Sequence, residues 1–262
     1  MTWINKVLHL TTVPFSLGLS IISAFPGLAE AESQLSLTVS PAVKNWKISQ
    51  NFIPPNRGTP MTTAGGGTRS SCTQQSKKVL TPLIPQKKLG LTLSERPNFY
   101  WFVPQITAQT AEFSLLDNKG DIVYETTFAL PSKPGIIGFS LPSNAPSLEV
   151  GKQYQWYLAI ACRPEETDEK LIVSGWVERT KATPELLIKL ATTDSKQLSS
   201  VYATAGIWHE ALNTVVQQRC TSPKERTVFA NWQALLSSVG LKNVVAEPLV
   251  NSCTSNNKGL PI

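Results

Sequence analysis

The sequence predicts an α+β fold: an immunoglobulin- or fibronectin-like β-sandwich followed by a small bundle of three or four helices. Three observations lead there. Between about Leu89 and Arg179 apolar residues recur at every second position, with turn signals at the spacing of a sandwich. Six or seven short strands then carry inward tryptophans and a cysteine on the same face, as in sandwich cores. After Arg179 the period lengthens to that of a helix, and helix start and stop signals appear.

The strands are read as follows. Phe99, Trp101 and Val103 alternate with Tyr100 and Phe102. Ala111, Phe113 and Leu115 share a face, Asn118-Lys119-Gly120 makes a short turn, and Ile122, Tyr124, Thr126 and Phe128 return as the second arm of a hairpin. A shorter strand spans Ile136 to Leu141. Tyr154, Trp156, Leu158, Ile160 and Cys162 line one side of a long strand, and Lys170 to Arg179 completes a second hairpin across the charged loop Arg163 to Glu169. Trp101 and Trp156 are expected in the core, because buried packing is the ordinary fate of tryptophan on an apolar strand face.

In the helical part, Thr183-Pro184-Glu185 reads as a start signal, with Leu186, Leu187 and Leu190 as an apolar stripe. A second helix is expected over about Lys196 to Ala203. A third follows Gly206, with Ile207, Trp208, Ala211, Leu212, Val215 and Val216 at helical spacing. Ser222-Pro223-Lys224-Glu225 reads as a capping box opening a fourth helix, whose stripe is Val228, Phe229, Trp232, Leu235 and Leu236 and whose stop is Gly240. The second and third resemble one tetratricopeptide-like hairpin, but no second copy recurs at a fixed period, so no repeat array is expected. Helices this short, joined to the strands by the brief Arg179 to Pro184 connection, are expected to fold back onto the sandwich.

Ahead of the strands, residues 1–31 read as a cleavable signal peptide. Met1 to Lys6 is short and positively charged, Leu8 to Ala24 is apolar but interrupted, and Ala29 and Ala31 supply the small residues a signal peptidase needs. The apolar stretch is too short and broken for a membrane span, and no transmembrane span is expected later. Residues 32–88 form a basic arm rich in Pro, Gly, Ser and Thr, residues 89–180 the sandwich, residues 181–249 the helical subdomain, and residues 250–262 a C-terminal tail. The expected localisation is periplasmic or extracellular. Cysteine usage agrees with export, since the four cysteines all lie beyond the signal. Four cysteines allow three pairings. The order of the motifs favours Cys72 with Cys162 and Cys220 with Cys253. A metal site is not expected, as no pair has CxxC spacing and His209 is the one histidine beyond the signal.

Net charge is +6 and survives signal removal, because Lys6 and Glu30 leave together. Its distribution matters more. Between Ser33 and Ser94 there is no acidic residue, whereas Lys44, Lys47, Arg57, Arg69, Lys77, Lys78, Lys87 and Lys88 are basic. Such an arm attracts anionic surfaces, and Arg57 and Arg69 are the candidate anion contacts because guanidinium groups hold phosphate or carboxylate in bidentate fashion. Expected partners are an anionic envelope glycan, a lipid or a protein. Nucleic acid is disfavoured by export and by the lack of aromatic residues among the charges.

Four segments together resemble one family. These are AGGGTRSSC (Ala64 to Cys72), GLTLSERPNFYWFVP (Gly90 to Pro104), GKQYQWYLAIAC (Gly151 to Cys162) and YATAGIWHEAL (Tyr202 to Leu212). They are similar to the domain of unknown function 928 family, over about Arg57 to Leu249. The resemblance implies a secreted protein, mainly cyanobacterial, of unassigned activity, and it carries over no catalytic residue.

Chemistry-bearing residues are sparse. His209 beside Glu210 could serve as a general base next to a nucleophile, but a surface or rim histidine is the expected outcome. Gly65-Gly66-Gly67-Thr68-Arg69 lacks the spacing of a phosphate-binding loop. Glu112, Glu125 and Glu178 have no fixed spacing with which to test a glycosidase pair. The expectation is therefore an exported binding or interaction module without catalytic residues or cofactors. The alternatives are a hydrolase acting on cell-envelope polymer and a structural envelope component.

Overall fold

Among the residues described by the computed structural model (50–56, 78–86, 88–163 and 166–253) there are eight strands followed by four α-helices. The strands are β1 (Thr81–Pro82), β2 (Gly90–Thr92), β3 (Asn98–Val103), β4 (Thr110–Leu116), β5 (Ile122–Ala129), β6 (Gly135–Ser140), β7 (Gln153–Arg163) and β8 (Glu166–Arg179). The helices are α1 (Pro184–Thr192), α2 (Leu198–Thr204), α3 (Trp208–Thr221) and α4 (Arg226–Ser238). Residues 1–31, with the expected signal, and Arg57, Arg69 and Cys72 lie outside the described residues.

The strands form two open sheets. One has the order β1-β3-β6, the other β2-β8-β7-β4-β5, and the pairings are antiparallel except β2 with β8. The two sheets share an apolar core. Phe99, Trp101 and Val103 of β3 meet Ala111, Phe113 and Leu115 of β4 and Trp156, Leu158 and Ile160 of β7. The indoles of Trp101 and Trp156 pack edge to face with centroids 5.6 Å apart, a geometry aromatic pairs favour. Both tryptophans are therefore core residues, as expected.

The other face of β3 is buried as well. Tyr100 and Phe102 join Leu83 and Ile136 in a second core with Trp208, Ala211, Leu212, Val215 and Val216 of α3 and Trp232, Leu235 and Leu236 of α4. The run Phe99-Tyr100-Trp101-Phe102-Val103 is apolar throughout because period two sends alternate residues into different cores. Helices α3 and α4 thus cover the outer face of the three-stranded sheet, while α3 also meets β2 of the other sheet and Leu186 of α1 packs beside Leu89 and Leu91. Phe52, Leu80 and Leu83, from the segment read as an arm, lie in these cores, and β1 comes from the same stretch.

Helix ends follow their signals with two exceptions. Thr183 caps α1, its hydroxyl accepting from the Leu186 N–H, with Pro184 in the first turn. Gly206, at φ +75°, closes α2: its N–H reaches Ala203 O and that of Ile207 reaches Tyr202 O. Gly240 closes α4 in the same double-bonded manner, through Ser237 O and Leu236 O. The first exception is not an end but the stripe of α1, which is only partly covered: Leu186 and Leu190 are half-buried and Leu187 is 55% exposed. Leu186 packs against the small cluster of Leu89, Leu91 and Ile207; Ile188, outside the expected stripe, is exposed too.

The second exception is Ser222-Pro223-Lys224-Glu225, which is a turn and not the first turn of α4. Ser222 ends α3, its carbonyl accepts from the Glu225 N–H, and the Glu225 side chain goes to Thr227 and Lys196. Phe229 of the expected stripe is 42% exposed.

Residues after α4 fasten the free edge of β6. Ile136 donates to Pro248 O and accepts from the Val250 N–H and the Ser252 hydroxyl, each at 2.8 Å. A disulfide joins Cys220 at the end of α3 to Cys253, as the motif order suggested. Lys78 forms an ion pair with Glu247. Folding thus brings an acidic partner to this basic stretch, which has no acidic residue of its own, from a segment distant in sequence. No helix among the described residues is long and apolar enough to cross a membrane.

Candidate functional site

A cluster of buried polar contacts lies where the first turn of α3 meets the strands. Gly206 reverses the chain, and Trp208, His209 and Glu210 then enter the helix consecutively, each reaching a different partner. The Trp208 indole N–H donates to Leu83 O at 2.9 Å. His209 Nδ1 lies 3.0 Å from Asn98 O, so this nitrogen carries the proton and donates. One turn on, Asn213 Oδ1 accepts from the Tyr100 hydroxyl at 2.7 Å.

Glu210 holds the loop after β2. Its Oε1 accepts from the Thr92 hydroxyl at 2.7 Å and from the Leu93 and Ser94 N–H groups, both at 3.1 Å. The carboxylate thus satisfies two main-chain donors where β2 ends, and it sits in the first turn of α3, where negative charge is favoured. Glycine at 90 lets the helix come this close, since a Cβ there would stand 2.9 Å from that of Trp208. The segments Gly90 to Pro104 and Tyr202 to Leu212, read separately in the sequence, are the two halves of one joint.

Burial sets the protonation states. It lowers the His209 pKa from 6.5 to about 4, overcoming the opposing effect of the Asn98 carbonyl. It raises that of Glu210, against the hydrogen bonds from Thr92, Ser94 and Leu93, which favour the charged form. Tyr100 is pushed up by burial too. His209 Nε2 and Glu210 Oε2 are buried without a hydrogen-bond partner.

His209 is thus not the rim residue expected from its helix stripe. It is 4% exposed, and its ring meets that of Phe99 edge-on at 5.4 Å. The stripe of α3 packs on both α4 and the strands, and the strands also cover the sector that carries His209, beside Asn98 and Phe99, which sequence periodicity does not show. An imidazole that is neutral, donates to a main-chain carbonyl and is closed to solvent anchors structure and does not abstract a proton from substrate.

The other carboxylates considered are on the sheet: Glu112 with Lys170 at 3.0 Å, Glu125 with Ser114 at 3.4 Å, and Glu178 with Gln153 at 3.0 Å. Among the described residues no three or more His, Cys, Asp or Glu side chains are grouped to hold a metal ion. The Glu210 lock was missed in the sequence, since Thr92 and Glu210 are 118 residues apart; the Thr92-Leu93-Ser94 run following a glycine strand was its one local sign.

Fold and joint together define an α+β protein in which a helical layer is keyed to a sheet by buried polar side chains. It belongs to the family described as Domain of Unknown Function (DUF928), which matches residues 64–249. No curated protein matches the sequence. Among solved structures, the apo structure of Bacteroides uniformis β-glucuronidase 3 is similar at 10% identity and a TM-score of 0.23, over 34% of this chain and 11% of that one. At that score the likeness brings neither fold nor function to this chain.

Proposed function

We propose that the protein is an exported, non-catalytic binding or interaction module of the cell envelope, acting in the periplasm or outside the cell. In this reading the two sheets are an immunoglobulin- or fibronectin-like sandwich, and the helices are a small bundle joined to it. The observation that carries the reading is the fate of His209 and Glu210. The one histidine beyond the signal and the carboxylate beside it are spent inside the joint, on Asn98 and on the loop Thr92 to Ser94. A hydrolase would need such groups presented to a substrate.

The ligand class follows from charge: the basic residues between Ser33 and Ser94, with Arg57 and Arg69 foremost, favour an anionic glycan or lipid surface. The test is co-sedimentation of the protein with anionic and neutral vesicles and with envelope glycans over a salt series, alongside a variant carrying Arg57→Gln and Arg69→Gln. Binding that requires the anionic surface, weakens with salt and drops in the variant supports the reading. Equal binding to neutral surfaces, or none at any salt, counts against the anionic ligand. Turnover of an envelope polymer by the protein would overturn the module itself.

A further inference from the structure

The sheets have four edges, treated differently. β1 is two residues long and contains Pro82, the outer side of β6 is fastened by residues 248–252, and β2 is backed by Gly206, whose carbonyl accepts from the Leu91 N–H at 3.3 Å. β5 is the exception. It has eight residues, it is last in its sheet, and its one strand partner is β4. Edges of this length are ordinarily blunted by lysine, proline or a covering segment. β5 has the sequence IVYETTFA, with no lysine, no proline and a single charge at Glu125; a register shift against β4 takes Val123 out of the ladder near its start and leaves Tyr124 to Ala129 as the regular open edge.

The register shows which groups are open. The Leu130 N–H bonds to Gln109 O at 2.7 Å, and the pairs Ala111 with Phe128 and Phe113 with Thr126 follow at steps of two. Main-chain groups of Glu125, Thr127 and Ala129 therefore point away from β4, and all three residues are exposed. No described residue bonds to those main-chain groups.

We propose that a second copy of this chain docks antiparallel along β5, about a twofold axis through Thr126, so that two five-stranded sheets become one. The inference deepens the interaction-module reading and rests on it. Hydrogen bonding across the seam requires that residues with outward main-chain groups face one another, which limits the registers. An axis at Glu125 sets the strand's one charge against itself. An axis at Thr127 shortens the overlap. The axis at Thr126 sets Glu125 opposite Thr127 of the second copy. On the core side it sets Thr126 opposite Thr126 and Tyr124 opposite Phe128, and threonine and aromatic pairs of this kind are favourable across strands. Phe128 is buried in the sheet core and Tyr124 packs against it, so the two cores would become continuous.

The test is sedimentation equilibrium of the purified full chain over a wide concentration range, with Thr127→Glu and Thr127→Lys as variants. Thr127 is exposed, so both are expected to fold, which circular dichroism confirms. Wild type is expected to form a concentration-dependent dimer. Glutamate at 127 would face Glu125 twice per dimer and raise Kd roughly 2- to 30-fold, and lysine would lower it by a similar factor. A monomer at all concentrations, or variants that shift Kd in the same direction or not at all, overturns the proposal. A monomer that still binds envelope ligand leaves the module reading standing. A dimer that binds none leaves the dimer standing without it.

Discussion

His209 offers the most direct measurement of how tightly the joint between α3 and the strands excludes water. The imidazole is held neutral between Asn98 O and the Phe99 ring, with Glu210 beside it in sequence, and its pKa falls from 6.5 to about 4. A histidine with a lowered folded pKa contributes stability that is complete above the unfolded value and lost as pH falls through the window from 6.5 to about 4. At pH 5 the unfolded imidazole is almost wholly protonated and the folded one almost wholly neutral, which disfavours the folded state by about 2 kcal/mol relative to pH 7.5. Glu210, raised by burial, works in the opposite sense as pH falls. It is present in wild type and in His209→Gln, so it cancels in their difference. The assay is urea unfolding followed by tryptophan fluorescence at pH 7.5 and pH 5. His209→Gln is expected to be less stable at pH 7.5 but to lose about 2 kcal/mol less than wild type on acidification. Equal losses in the two proteins would refute the buried, neutral histidine.

Three further outcomes are expected. Gly90→Ala pushes a Cβ against that of Trp208 and should destabilise by about 1 to 3 kcal/mol, read as a lower urea midpoint. Tyr100→Phe removes the donor to Asn213 and should lower stability by about 1 kcal/mol, and a neutral effect would show the bond unimportant. Cys220→Ser opens a cross-link between residues 33 apart in sequence, so that variant should lose about 3 to 4 kcal/mol by chain entropy, read as a lower urea midpoint.

Local signals made much of the architecture legible. The hairpin at Asn118-Lys119-Gly120, the start at Thr183 and the stop at Gly240 each depend on residues a few positions apart, and each forms as expected; the long strand through Cys162 forms too, but the expected loop Arg163 to Glu169 is shorter, since pairing carries β7 to Arg163 and starts β8 at Glu166. Where tertiary contact decides, sequence pattern was insufficient. Phe52, Leu80 and Leu83 lie in a stretch whose basic and Pro/Gly-rich composition suggests a solvated arm, yet cores assembled from distant segments bury them. Ser222-Pro223-Lys224-Glu225 has the residues of a capping box, but α3 runs on to Thr221 and takes Ser222 as its end. At the candidate site, the residues were visible and their arrangement was not. His209 and Glu210 were noticed as neighbours, but their partners, Asn98 and the Thr92 to Ser94 loop, are more than a hundred positions away.

Strand β3 has no solvent side, and that decides how far the molecule can be divided. A chain cut near residue 180, where strand periodicity gives way to helix periodicity, would leave Leu83, Tyr100, Phe102 and Ile136 as a bare apolar wall. The helices alone would lose the surface that holds Trp208 and Leu212. The sheets would keep the core between them but expose this wall, and the helices would lose the strands that complete theirs, so shuffling, truncation or partial proteolysis at that boundary should yield aggregates in place of modules. Two differently patterned stretches of sequence are in this sense one inseparable body, with β3 at the centre of their common wall.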